Sequence, residues 1–230
     1  MLTDHDRRIL SGNSEYRRYP AAIRTAIATA GRVVERARGQ WVYGEGDLPA
    51  GLVFVLDGVL RLEVAVGLDR MVMIGLLPAG GVIGQGRIGG GGPRLVTTRA
   101  QVASRLLLVS DAVLEELAKT QPGTDRAVSQ LLYRQLDSAV HLLAHHLASR
   151  PQARIALRLL QCLKDGVVQA TQADLAEMCG VSRKIVNRTL SVWEIGGLVR
   201  CGYMAIEIPD PASIATVAGI TIDELTSLGW

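Results

Sequence analysis

The stretch from Ala170 to Leu190 constrains this chain more than any other, because its polar and apolar residues are ordered for two short helices around a tight turn. Thr171 followed by Asp174 has the form of a capping box that opens a helix. Gly180 permits the turn, and Ser182 can cap a second helix. At about 100° per residue, Arg183, Lys184, Asn187 and Arg188 fall within an arc of roughly 140°, while Val186, Thr189, Leu190 and Trp193 occupy the opposite face. Gly196-Gly197 ends that helix. Leu198–Arg200 and Tyr203–Ile208 then read as a β-hairpin wing with Gly202 in the turn. One helix face packs, and the other carries the groups that read duplex DNA: a guanidinium fork matches guanine O6 and N7, and an asparagine amide matches the adenine edge.

Charge follows the same geography. The 230 residues hold 25 basic and 22 acidic side chains. Only Lys119, Lys164 and Lys184 are lysines, so 25 minus 3 leaves 22 arginines. Between Arg150 and Arg200 there are eight basic residues against four acidic ones, a local +4 that exceeds the whole-chain +3. Aromatic residues at 4% are too few for a row of rings stacked on single-stranded bases, so a nucleic-acid partner is expected to be a duplex. Hydrophobic residues at 48% exclude wholesale disorder, and the length suits two folded units. No apolar h-region opens the chain and no run of about 18 apolar residues occurs, so no membrane partner and a cytoplasmic location are expected. Cys162, Cys179 and Cys201 are an odd, scattered set, which fits no disulfide scaffold and no iron–sulfur cluster.

From Gly39 to Val109 short β-rich runs alternate with glycine-containing turns (40–43, 52–56, 59–66, 71–77, 95–102 and 105–109), the texture of an antiparallel barrel or sandwich. Asp57-Gly58 between two such runs predicts a two-residue hairpin. Residues 20–38 read as a helix opened by Pro20, and Asp111–Lys119 as a short helix. A longer helix is predicted over 124–149, ending at Arg150-Pro151. This helix is roughly 39 Å long, and its stripe of Val128, Leu132, Leu136, Ala139, Val140, Leu143 and Leu147 fits either a dimer interface or packing on its own domain. The expected division is a sensory domain at 1–110, two linking helices at 111–149 and a C-terminal domain at 150–230.

On these residues the chain resembles the Crp/Fnr family of bacterial transcription regulators over nearly its whole length. Val181-Ser182-Arg183 with Arg188 resembles the family's recognition helix, Phe54–Arg61 its β-roll glycine hairpin, and Thr98-Arg99-Ala100 with Leu108-Val109-Ser110 its closing strands. The resemblance implies an α+β fold: a cyclic-nucleotide-binding-like β-roll (a jelly roll), a long dimerisation helix and a winged helix-turn-helix. It implies a homodimer on an inverted-repeat operator, with RNA polymerase as a further partner. Arg183 and Arg188 would read bases or adjacent phosphates, and Thr171, Gln172 and Ser182 would contact the backbone; Lys184, Asn187 and Arg200 complete the expected DNA-contacting set. Val128, Leu132, Leu136, Ala139, Leu143 and Leu147 would form the dimer interface. Lys184 departs from the glutamate of many relatives, and since lysine cannot accept from cytosine N4, a different operator is expected.

The effector pocket departs further. Cyclic-AMP-binding members of the family hold the ribose with glutamate, the phosphate with an Arg-Ser pair and the purine with a Thr-Ser pair. Here those positions read Gln85, Arg94-Leu95 and Ala139-Val140, so cyclic AMP is expected to bind weakly or not at all, which leaves open an unidentified small effector or none. Arg87 and Arg94 are expected to flank that pocket. Gly84–Gly89 formally matches the dinucleotide fingerprint G-x-G-x-x-G, but Gly90–Pro93 forbids the helix that the motif must open. His141 and His145 read as a polar flank rather than a metal pair, and Cys179 as a small buried hydrophobe. The β-rich region lacks histidine and cysteine, so haem is not expected. No nucleophile–base constellation points to an enzyme. Two other readings are an interaction module that has lost DNA binding and a regulator without an effector.

Overall fold

The protein's structure, a computed structural model, describes residues 2–227 apart from 49, 68, 69 and 86. Its contacts divide it into two compact units, one of residues up to 71 with 76–135, the other of residues 72–75 with 136 onward.

The first unit opens with three helices: α1 (Asp4–Gly12), α2 (Ser14–Arg18) and α3 (Ala21–Ala30). Thr3 and Asp6 close a capping box on α1, and Asn13 caps α2. Eight strands follow: β1 (Arg32–Arg36), β2 (Trp41–Tyr43), β3 (Gly51–Asp57), β4 (Val59–Val66), β5 (Arg70–Pro78), β6 (Val82–Gln85), β7 (Thr97–Ala100) and β8 (Ser104–Val109). They form two four-stranded sheets, β1-β8-β3-β6 and β2-β7-β4-β5. Helices α4 (Asp111–Thr120) and α5 (Thr124–Ala148) follow.

The alternation of β3 explains how these layers hold together. Leu52, Phe54 and Leu56 face Tyr16, Tyr19, Ile23 and Ile27 of the opening helices and Leu114 and Leu131 of α4 and α5. Val53 and Val55 face the other way, against Tyr43, Leu60 and Ala100 of the second sheet.

Two local expectations are corrected. The predicted helix over 20–38 stops at Ala30, where Gly31 adopts an extended conformation, and Arg32–Arg36 become β1, because Val33 and Val34 are β-branched and the segment pairs with β8. Asp57-Gly58 does not join a hairpin: β3 and β4 lie in different sheets. Gly58, at φ +83°, turns the chain from one sheet to the other, and an added Cβ would lie 2.5 Å from the Ala103 carbonyl oxygen.

The second unit takes in the end of α5, then α6 (Pro151–Gln161), β9 (Val167–Val168), α7 (Gln172–Cys179), α8 (Arg183–Ile195), β10 (Arg200–Gly202), β11 (Ala205–Glu207), α9 (Pro211–Ala218) and α10 (Ile222–Ser227). The wing hairpin β10–β11 is joined by β9 in a three-stranded sheet. Ile155, Leu159, Leu175, Val186, Val199 and Ile214 are fully buried in this unit. Among the described residues no helix is long and apolar enough to cross a membrane.

Gly51→Ala is expected to destabilise the protein by about 3 kcal/mol or more, because the new Cβ meets the backbone of β8. It would sit 1.9 Å from the Val109 carbonyl oxygen, at φ +83°. Gly39→Ala, at φ +81° with open space around it, isolates the conformational cost alone, about 1 kcal/mol. Urea unfolding of the two variants checks the difference.

Candidate nucleic-acid interface

The reading head is assembled by caps. Thr171 Oγ1 accepts from the Asp174 amide at 3.1 Å, and the Thr171 amide donates to Asp174 Oδ2 at 2.8 Å, so α7 starts where the sequence indicates. It ends at Gly180 in the left-handed region, φ 60° and ψ 40°. The His146 ring lies against that glycine, 2.9 Å from where a Cβ would stand; the ring can yield, so it is the left-handed conformation that favours glycine. Ser182 Oγ accepts from the Ile185 amide at 3.3 Å and opens α8.

On α8, Val186, Thr189, Leu190 and Trp193 are buried, and Ser182, Arg183, Lys184, Asn187 and Arg188 are exposed together on the other face. Among the described residues Arg183, Lys184 and Arg188 have no ion-pair partner, so their charge faces outward, with Arg183 and Lys184 in the first turn at the positive end of the helix. Half-buried Gln172 sits beside this face, and its Oε1 accepts from Asn187 Nδ2 at 3.2 Å. Half-buried Thr171 precedes it. The wing is fixed to the far end of α8, where the Cys201 amide donates to Glu194 Oε1 at 2.7 Å. Exposed Arg200 on β10 faces Glu207 on β11, 3.6 Å away.

In the first unit, Arg94 is only 3% exposed. Its Nη2 donates to the Gly51 carbonyl at 2.8 Å, and its guanidinium lies 4.4 Å over the Tyr43 ring. Nε and Nη1 are buried without a hydrogen-bond partner. They border a cavity of about 90 Å³ lined also by Tyr43, Gly84, Leu95 and Gln135. Burial pushes the Tyr43 hydroxyl above its ordinary range.

One expected pocket residue stands elsewhere. Arg87 belongs to a 3-10 turn, Arg87–Gly89, whose first amide donates to Asp111 Oδ1 at 3.0 Å. Its guanidinium lies 3.7 Å from Asp111 and 3.6 Å from Glu115, so carboxylates of α4 draw it from the cavity. Ala139 and Val140 are exposed on the part of α5 that belongs to the second unit; Gln135, which the sequence reading missed, lines the cavity. The side chain of Gln85 lies outside the described residues.

Along α5, Val128 is also corrected: at 1% exposure it packs with Ala127 and Leu131 into the chain's own core. Leu132 is half-buried, whereas Leu136, Leu143 and Leu147 are 58%, 59% and 77% exposed, with Ala139, Val140 and Tyr133 exposed beside them. Among the described residues no three His, Cys, Asp or Glu side chains gather as a metal site.

Residues 33–121 match the cyclic nucleotide-binding domain family, and residues 153–217 match the Crp-like helix-turn-helix domain, which holds the whole of α7 and α8. The chain belongs to the Crp/Fnr family. Among curated Crp/Fnr-like relatives, the HTH-type transcriptional regulator Cmr of Mycobacterium tuberculosis is 28% identical over 186 residues, 81% of this chain and 76% of that one. The cyclic AMP receptor protein of Thermus thermophilus is 27% identical over 187 residues, covering 79% of this chain and 85% of the relative. The same fold occurs in FixK2 from Bradyrhizobium japonicum, with a TM-score of 0.71 at 18% identity over 81% of this chain and 96% of that one.

The cysteines of this Crp/Fnr chain differ in reach. Burial pushes the Cys179 thiol up to about 12, and Cys162 is also buried, while Cys201 is partly exposed. A thiol reagent at pH 8 is expected to label Cys201 first, and Cys162 and Cys179 only on denaturation, as peptide mass mapping would read.

Proposed function

We propose that this protein is a homodimeric, sequence-specific DNA-binding transcription regulator. The observation that carries the reading is the exposed arc of Arg183, Lys184, Asn187 and Arg188 on a helix whose other face is buried. In the major groove, Arg183 and Arg188 present forks to guanine or to flanking phosphates, and Asn187 presents an amide to adenine. Lys184 selects guanine or a phosphate where a glutamate would take cytosine. Thr171, Gln172 and Ser182 contact the backbone at helix N-termini, and Arg200 meets it from the wing.

The exposed stripe of Leu136, Ala139, Leu143 and Leu147 supports a dimer helix, since apolar residues at this spacing on an α-helix need a partner. Two-fold symmetry then sets two half-sites roughly 34 Å apart on an inverted repeat. RNA polymerase is the partner after DNA that the family resemblance implies. Cyclic AMP in its usual pose does not gate the protein, because Gln85, Leu95, Ala139 and Val140 replace its usual partners. Buried Arg94, with two unpartnered donors, favours an anionic effector over a regulator without one.

Gel shifts on a genomic operator test the DNA reading. Arg183→Ala and Arg188→Ala are each expected to weaken binding about 5- to 150-fold, or about 1–3 kcal/mol, and to relax base preference. Arg200→Ala should weaken all sequences alike and reduce the salt slope by about one. Binding that is unchanged in the α8 variants would refute the reading. For the dimer, Leu143→Asp is expected to give a folded monomer in sedimentation that no longer retains the inverted repeat; an undisturbed dimer would place the interface elsewhere.

A further inference from the structure

The last turn of α5 carries a titratable side chain that DNA contact does not use. His146 is half-buried with its ring against Gly180, the residue that turns α7 into α8: a Cβ there would lie 2.9 Å from His146 Cε1 and 3.2 Å from Nε2. Arg154 Nη1 of α6 stands 3.4 Å from the same Nε2. A guanidinium only donates, so Nε2 accepts and the neutral ring carries its proton on Nδ1. Arg154 depends on that acceptor, because its Nε is buried without a hydrogen-bond partner. Arg158, one turn further along α6, is the second cation acting on the ring, and its Nη1 donates to Gln161 Oε1 at 3.2 Å. Only Ser149 and Arg150 join α5 to α6, so a contact across that joint sets its angle.

Among the described residues no carboxylate pairs with Arg154 or Arg158. The groups acting on Arg158 are the thiols of Cys162 and Cys179, and burial pushes Cys179 up to about 12, so it stays neutral. Glu224 of α10 acts on the neighbouring His145, whose Nδ1 lies 3.4 Å from Ser149 Oγ. Carbonyls at the end of α5 favour an imidazolium. Burial, and after it Arg154 and Arg158, outweigh them and hold His146 below its ordinary value. We propose that His146 is a proton-operated latch between the end of α5 and the reading head: neutral, it seats on the Gly180 turn and accepts from Arg154; protonated, it loses that acceptor, meets two guanidiniums and leaves its seat. The proposal rests on reading this unit as a DNA-binding head carried by a dimer helix. Unseating frees each head from its helix, so fixing two heads on an inverted repeat costs more order, and acid weakens operator binding. A folded-state value below the unfolded one means that the contact stabilises the protein fully above about pH 6.5 and is lost as pH falls from there.

The test uses the full chain. NMR follows the ring signals of its four histidines as pH is lowered, with His146→Gln assigning one of them. His146 is expected to titrate below an ordinary histidine, and Arg154→Gln to return it toward the ordinary value. Gel shifts on the genomic operator are then run at about pH 7.5 and about pH 5.5. Wild-type affinity divided by that of His146→Gln should fall several-fold between the two, a ratio that cancels the charge gained by His5, His141 and His145. Arg154→Gln, which leaves the ring in place, should lessen the acid loss. His146→Lys, a fixed cation, should bind several-fold more weakly than wild type already at the higher pH, with circular dichroism showing it folded. A His146 signal that titrates at or above the ordinary value would overturn the latch, as would an affinity ratio independent of pH; operator binding at the higher pH would still leave the DNA reading standing. No operator binding by the wild type at either pH would overturn both.

Discussion

Strand β3 has no solvent face before Asp57, because every residue from Gly51 to Leu56 is buried. Side chains of one parity hold the opening helices and the start of α5, and those of the other hold the second sheet. The Gly51 carbonyl at the start of the same strand holds Arg94, and the register Leu52 to Gly84 brings β6 alongside. A one-residue slip of β3 would exchange its two faces and release the arginine as well. Core packing and the placement of Arg94 therefore share one register.

The C-terminal head was legible in sequence because its information is local. Thr171, Gly180 and Ser182 act on amides within three residues or on their own dihedrals, and the division of α8 into two faces needs only a helical period. What depended on long-range pairing was not legible. Val33 and Val34 lie in a stretch read as helix until β8 claims them, and Asp57-Gly58 carries a strong hairpin signal although the two strands pair with other neighbours. Val128 and Leu136 belong to one apolar stripe; only the surface of the β-roll decides that the first is core and the second exposed. Arg87 lies in a glycine-rich loop with no period to orient it, and the carboxylates of Asp111 and Glu115 that draw it are remote in sequence. The signal for Gln135 was weak but present, a polar residue one helical turn before Ala139.

The two units treat charge in opposite ways. In the second, the arginines of α8 stand in water, where they cost little and attract a polyanion at a distance. In the first, Glu63 is buried with Arg61 and Arg99 bonded to it; burial alone would push its carboxyl up, but the two guanidiniums outweigh that and hold it below the usual range. Arg94 has no such carboxylate, and this contrast within one unit gives its unanswered donors their meaning.

The hydrogen bond from Asn187 Nδ2 to Gln172 Oε1 ties an exposed side chain of α8 to the start of α7. It uses one of the two Nδ2 hydrogens and leaves the other, with the Oδ1 acceptor, facing outward. The rotamer freedom of that amide is therefore given up on folding rather than on contact with a partner. On the proposed reading, an adenine edge would meet a donor and an acceptor whose plane the protein has already set.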